Sequence, residues 1–225
     1  MADRQIAPIK AKVIRAVKLD TCGNPVTGAS SAMWVGKGFT QVQISPDYEE
    51  GQEFLTKLAD GSACVNQKDA PFLKRMGIEG HFCTMSPDLI QMQTGYTEIF
   101  TGSGTVTGTG MMFDNRVLDA RYSLELWQPV SGVGACDPAT GLPLYVYWAF
   151  PNVTNGMLGD FTFENDVFDW TMNNETDGAG TQWGDGPGAS TWLPAGTLVP
   201  AGVHALFNIT TTAPPAITAG AVTLA

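Results

Sequence analysis

Not one lysine or arginine occurs between residue 122 and the C-terminus of this 225-residue chain. All 12 lie in residues 1 to 121, beside 13 acidic residues, whereas residues 122 to 225 carry 9 acids and no base. The first part therefore holds 12 − 13 = −1 and the second −9, which together make the net −10. A groove that grips nucleic acid through its phosphates needs Lys and Arg, so tight DNA binding by the second part is excluded. An acidic surface can still let DNA pass without holding it, and acids can equally keep a charge-poor surface soluble.

Charge of either sign is scarce. Only 15% of residues are charged, against roughly 25% in an average soluble domain. With no long apolar segment to explain it, this depletion suggests a subunit with large covered interfaces, whose cores exclude charged side chains. No run approaches the roughly 20 apolar residues of a membrane span, and the N-terminal MADRQIAPIKAK has no signal-peptide core. A cytosolically made, soluble protein of one domain is expected, and Cys22, Cys64, Cys83 and Cys136 are expected as free thiols. The sequons at Asn152, Asn174 and Asn208 then carry no weight.

What is present is β-strand pattern. In RVLDARYSLELW the apolar Leu118, Ala120, Tyr122, Leu124 and Leu126 alternate with Asp119, Arg121, Ser123 and Glu125, the period of a half-buried strand. FTQVQIS repeats it, and VIRAVKL, IEGHFCT, PLYVYWAF, DFTF, VFDWTM and VHALFNI are further β-branched or aromatic runs. Turn-forming clusters such as TCGNPVTGAS and GACDPATGLP separate them. The chain reads as all-β with at most two short helices. SPDLIQMQTG has Ser86 as N-cap, Pro87 at the first helical position, Asp88 at the positive dipole end and Gly95 for the left-handed cap. DAPFLKRMG, residues 69 to 77, is a weaker helix candidate. Residues 45 to 69, SPDYEEGQEFLTKLADGSACVNQKD, form either a long hairpin or an extended loop. The Gly-rich 173 to 192 reads as loop, and residues 1 to 12 and 211 to 225 suit extended arms that order on a neighbour.

Motifs that carry chemistry are missing. A structural zinc site wants four ligands at short spacings. His81 and Cys83 share a strand face, yet only distant Cys22, Cys64, Cys136 and His204 could join them, so Cys83 reads as a small buried side chain. No Gly-x-Ser-x-Gly elbow exists, and the Gly-rich 101 to 110 and 178 to 188 lack the Gly-Lys-Ser/Thr of a phosphate loop. Asp160, Glu164, Asp166 and Asp169 supply oxygens enough for calcium but match no known loop spacing; a solvated acidic face is expected. No metal, cofactor or catalysis is expected. The alternative is a carbohydrate-binding or glycoside-hydrolysing β-sandwich, with Glu125 and Glu164 as the carboxylate pair and Trp127, Trp148, Trp170, Trp183 and Trp192 as stacking platforms. Aromatics in strands more often serve the core.

The succession VIRAVKLDTCGNPVTG, GFTQVQISPDYEEGQEF and DGSACVNQKDAPFLKRMGIEGHFCTMSPDLIQMQTG resembles the major tail proteins, the tail-tube subunits, of long non-contractile-tailed phages infecting actinobacteria. The resemblance covers roughly residues 13 to 95. It implies a β-sandwich or partly closed β-barrel with a helix on its flank, six copies in a ring, and rings stacked into a tube that conducts DNA in the virion. Tape measure, tail terminator and baseplate proteins are the implied partners. Sheet edges would pair across copies, and residues 45 to 69, with Asp47, Tyr48, Glu49 and Glu50, would bridge rings. Asp119 and Glu125, and Asp160 and Glu164, are the expected lumen-facing acids, because alternation puts each pair on one strand face. Another virion component, such as a capsid decoration protein, is the third reading.

Overall fold

The structure is a computed structural model that describes residues 7–8, 10–29, 31–101, 108–132, 134–161, 169–178, 181–182 and 198–224. Short strands β1 (Ala7–Pro8), β2 (Val13–Lys18) and β3 (Met33–Gly36) are followed by the long β4 (Phe39–Glu49). Then come β5 (Glu53–Lys57), β6 (Ala63–Lys68), β7 (Phe72–Phe82) and one helix, α1 (Pro87–Thr94). After α1 run β8 (Thr97–Thr101), β9 (Gly108–Met112), β10 (Tyr122–Ser131) and β11 (Tyr145–Leu158). The last are β12 (Trp170–Thr176), β13 (Thr181–Gln182), β14 (Leu198–Val199) and β15 (Leu206–Thr210). One antiparallel sheet dominates, in the order β3-β2-β10-β11-β12-β7-β4, with β1 on β10 and β15 on β11. The protein is all-β with one flanking helix, as its alternating runs imply, and the sheet does not close into a barrel among the described residues.

Strand β11 organises this sheet. Its first five residues pair with β15, and from Val153 its other partner on that side is β12. The ladder slips between Thr154 and Met157, where Asn155 takes φ 55°. Such a bulge bends the strand and lets two half-sheets diverge from one backbone. Gly156 sits in the bulge because a Cβ there would lie 2.1 Å from the Gln93 carbonyl oxygen at the end of α1.

The two half-sheets differ in cover. Strand β10 buries six successive residues, Tyr122 to Trp127, because a layer lies on each face. On one side Leu124, Leu126, Phe150, Val153 and Ile14 pack with Leu89 and Ile90 of α1. On the other, Val199, Val203, Leu206 and Leu224 press on Val17, Leu19 and Ala32. By contrast β12 alternates strictly, burying Trp170, Met172, Asn174 and Thr176 and leaving Thr171, Asn173 and Glu175 half-exposed. One face packed and one solvated is the usual state of an antiparallel sheet.

Helix α1 matches its caps. Ser86 is extended at the N-cap, Pro87 opens the helix, and Gly95 at φ 78° donates its N–H to the Gln91 carbonyl. The Ser86 side chain makes no capping hydrogen bond.

Four expectations are corrected. Residues 72 to 77 are strand, not helix: Pro71 and Gly77 mimic helix signals, but Phe72–Phe82 pairs with β4 over its full length and tertiary pairing outweighs local propensity. The strand of RVLDARYSLELW begins only at Tyr122, because β2 ends opposite it at Lys18 and β11 turns away at its bulge; beyond it the Arg121 carbonyl still accepts from the Leu19 N–H, but no ladder continues. Cys83 is exposed, as are the other three free thiols. Residues 211 to 224 do not reach away; Val222 bridges Met33, Thr218 bonds Val35, and Leu224 is fully buried in its own subunit. Residues 45 to 69 resolve as the long hairpin, not as an open loop. Of DFTF, Asp160 and Phe161 lie outside any strand; its remainder and residues 1 to 6 of the N-terminal arm lie outside the described residues.

Candidate functional site

Glu125 does not face a channel. Its carboxylate is 0% exposed and lies against the 1% exposed guanidinium of Arg15, with Oε2 at 2.5 Å from Nε and Oε1 at 2.7 Å from Nη2. Arg15 is its direct cross-strand partner. The Tyr147 hydroxyl donates to the same Oε1 at 2.7 Å, and the guanidinium lies 5.9 Å from the centre of the Trp127 ring. The same burial removes Glu125 from the carboxylate pair that a glycosidase would need. Trp127 and Trp170 are core residues and Trp148 packs beside Phe207, so none of these three stands free as a sugar platform. Glu164, Asp166, Trp183 and Trp192 lie outside the described residues.

Asp119 and Asp160 are exposed, but neither lies on a strand. Asp119 borders a cleft of about 450 Å³ that also takes in Lys74, Arg75, Arg121, Glu175 and Asp177. Arg121 bonds Asp177 at 2.8 Å and Arg75 bonds Glu175 at 2.7 Å, so this cleft is a web of neutralised charge.

A different surface presents the broad polar face. Across β4, β7 and β12 the register aligns Gln41 with His81 and Thr171, Gln43 with Glu79 and Asn173, and Ser45 with Gly77 and Glu175. These rows share the solvated side of the half-sheet, since Ile78, Gly80, Phe82, Trp170 and Met172 turn the other way into the core. His81 and Cys83 do not form a metal pair: His81 Nε2 sits 3.3 Å from Glu79 Oε1, and Cys83 Sγ contacts the Gly38 carbonyl. No group of three metal-ligating side chains occurs among the described residues. The polar face is legible in TMNNET, where Thr171, Asn173 and Glu175 alternate with apolar or buried neighbours, but its extent depends on strand order.

Beyond this face β4 and β7 run on as a ribbon, which β5 and β6 extend to a tip at residues 58 to 62. From Glu49 to the tip is 9 residues, a reach of about 30 Å at ~3.3 Å each. Both faces of the β5–β6 hairpin are exposed throughout. Three of the four residues expected to bridge rings instead tie the ribbon together: Asp47 to Arg75, Glu49 to Lys74 and Glu50 to Lys68. The Lys68 hydrogen bond and charge hold the Glu50 carboxyl below its ordinary range. Tyr48 remains, 62% exposed, with Phe54, Leu55, Leu58, Val65 and Phe72 also open to solvent.

The outer edge of β4 is open as well. Met76 donates its N–H to Thr176 Oγ1 on the β12 side, and the Thr40 hydroxyl donates to the His81 carbonyl on the β4 side. Gly77, Glu79 and His81 therefore bond β4, and β4 answers with Ser45, Gln43 and Gln41. By alternation Val42, Ile44 and Pro46 turn their backbone outward, where no partner strand lies among the described residues. Proline in a strand belongs on such an edge, since its missing N–H then costs no ladder bond. Phe39 to Pro46 carries no charge, so this edge lacks the charged residues that usually deter pairing.

No protein-family model matches this chain, and no curated protein sequence matches it.

Proposed function

We propose that this chain is a self-assembling structural subunit, the building block of a phage tail tube in which hexameric rings stack around a DNA channel. The observation that carries the reading is the β5–β6 hairpin, a ribbon reaching about 30 Å that exposes apolar side chains on both faces and whose every residue is open to solvent among the described residues. An isolated two-stranded ribbon is marginal in water, and exposed apolar patches of this kind mark protein contacts. A neighbouring copy that covers Phe54, Leu55, Leu58 and Val65 would stabilise it. The open, uncharged edge of β4 supports the same reading, since it offers backbone groups to a second chain. So does the scarcity of charge over the whole sequence.

Within that assembly the DNA-facing wall is the broad polar face of β4, β7 and β12. Its exposed amides and hydroxyls, with Glu79 and Glu175 and no lysine in its central rows, would give phosphates little to hold. Asp119 and Asp160 remain exposed acids that can add to the wall, and Glu125 drops out. Tape measure, terminator and baseplate proteins are the further partners of this reading. The test is negative-stain microscopy of the purified protein, where tubes or stacked rings are expected. A chain that stays monomeric at all concentrations and salts, with the hairpin intact, would overturn it.

A further inference from the structure

The dominant sheet has two ends, and they are treated differently. At β4 the outer backbone is open among the described residues. At β3 it is covered by the chain's own C-terminal tail. Met33 and Val35 turn their backbone groups outward from β3, two residues apart. Met33 exchanges N–H···O bonds with Val222 at 3.0 and 2.7 Å. Val35 is served less regularly: its carbonyl accepts from the Thr218 N–H at 3.1 Å, but its own N–H has only the Thr218 hydroxyl, at 3.0 Å. Between these two points the tail bends at Ala219 and Gly220 and forms no strand. Its one fully buried side chain is Leu224, among Val17, Leu19 and Ala32, whereas Thr218 and Val222 are half-buried and Ile217 is about half-exposed.

We propose that the outer edge of β3 is the seat for β4 of a second copy of this chain, and that the tail holds this seat until assembly displaces it. The inference rests on the assembly reading above and names its partner surfaces. Val42 and Ile44 of β4 present outward N–H and C=O groups at the same two-residue spacing as Met33 and Val35. A regular strand can satisfy both pairs with backbone groups, which the tail does not. Neither Met33–Gly36 nor Phe39–Pro46 contains a charged residue, so apposing them buries no unpaired charge. The geometry also selects the mode of growth. Pairing β4 with β4 is two-fold and stops at a dimer, whereas β4 on β3 is heterologous and repeats into a ring or helix. A tail that caps one of the two edges keeps the free subunit from polymerising at once, the role that covering plays for sheet edges generally.

The test is a covalent lock on the tail. Cys22, Cys64, Cys83 and Cys136 are all exposed and are first changed to Ser. Met33→Cys and Val222→Cys are then introduced at the bridged pair, whose Cα separation of about 5.5 Å for mutually bonded partners lies within disulfide range. Oxidised protein is expected to remain as folded subunits by circular dichroism, with at least tenfold less sedimenting polymer than the same protein after reduction. Leu224→Ala, which loosens the tail, is expected to shorten the assembly lag several-fold. If oxidised and reduced protein polymerise equally, the tail does not hold the seat and this inference falls alone. If neither the reduced nor the Leu224→Ala protein assembles under any condition, the assembly reading falls and takes this inference with it.

Discussion

Replacing Glu125 with Ala tests the reassignment of that residue most directly. The substitution leaves the Arg15 guanidinium, 1% exposed, without its carboxylate and strands the Tyr147 hydroxyl as well. Removing one partner of a buried ion pair costs about 3 to 5 kcal/mol. A domain has only about 5 to 15 kcal/mol in total, so Glu125→Ala should remove a large share of the stability. The cation–π contact of Arg15 with Trp127 remains in the mutant but cannot replace the lost counter-charge, being worth about 2 kcal/mol at best. The double variant Arg15→Met, Glu125→Leu keeps the volume and removes both charges, so it should fall within about 1 to 2 kcal/mol of wild type, on either side. Urea unfolding of wild type, Arg15→Met, Glu125→Leu and the double variant measures the coupling, with Glu125→Ala unfolded beside them. A Glu125→Ala loss under about 1 kcal/mol, or a Glu125→Lys protein that folds and assembles normally, would refute the buried placement and return Glu125 to an exposed, wall-facing role.

Three further outcomes follow from particular contacts. Val42→Pro removes an N–H that faces outward from the sheet, so the subunit should stay folded but lose polymer; Ser45→Pro removes one facing β7 and should destabilise the subunit itself by about 1 to 3 kcal/mol, as circular dichroism and sedimentation would show. Glu98 on β8 has a carboxyl pushed above its ordinary value, first by burial and then by the charge of Asp88. Its folded form therefore favours the proton, so its contribution is fully present below the ordinary carboxylate range and is lost as pH rises through the raised value; Glu98→Gln should flatten that fall in a pH series of thermal melts. Gly156→Ala would put a Cβ 2.1 Å from the Gln93 carbonyl, and the forced shift of α1 from β11 should cost about 1 to 3 kcal/mol, read as a lowered denaturation midpoint.

Helix α1 was legible because each of its signals acts within a few residues: proline at the first position, glycine at the left-handed cap, apolar residues between. The same signals misled at residues 69 to 77, where Pro71 and Gly77 bracket a segment that β4 holds as strand. Local cues are weak where an 11-residue neighbour offers a full ladder. The lumen-facing assignment of Glu125 failed for a related reason. Alternation in RVLDARYSLELW separates the two sides of a strand, but it cannot say that a second layer, built from residues 199 to 206 and Leu224, will cover the polar side. Arg15, 110 residues away in sequence, is the only cue that Glu125 had a buried partner. Residues 173 to 176, expected as the start of a loop, continue β12 because β7 and β11 pair with them on either side.

The sequence by itself determined the composition of forces: an all-β chain short of charge, with its acids unopposed from residue 122 onward, and one helix marked by proline and glycine at its ends. Those properties are local or additive, and a single chain carries them wherever it folds. Only the tertiary structure decided which polar residues are solvated and which are core, that Glu125 is sealed against Arg15, and that one end of the sheet is capped by the tail while the other stays open among the described residues. Such properties belong to pairs of segments distant in sequence. The pairing of β2 with β10, the tail on β3 and the bulge at Asn155 and Gly156, where β11 changes neighbours, are such properties, and no pattern within one strand records them.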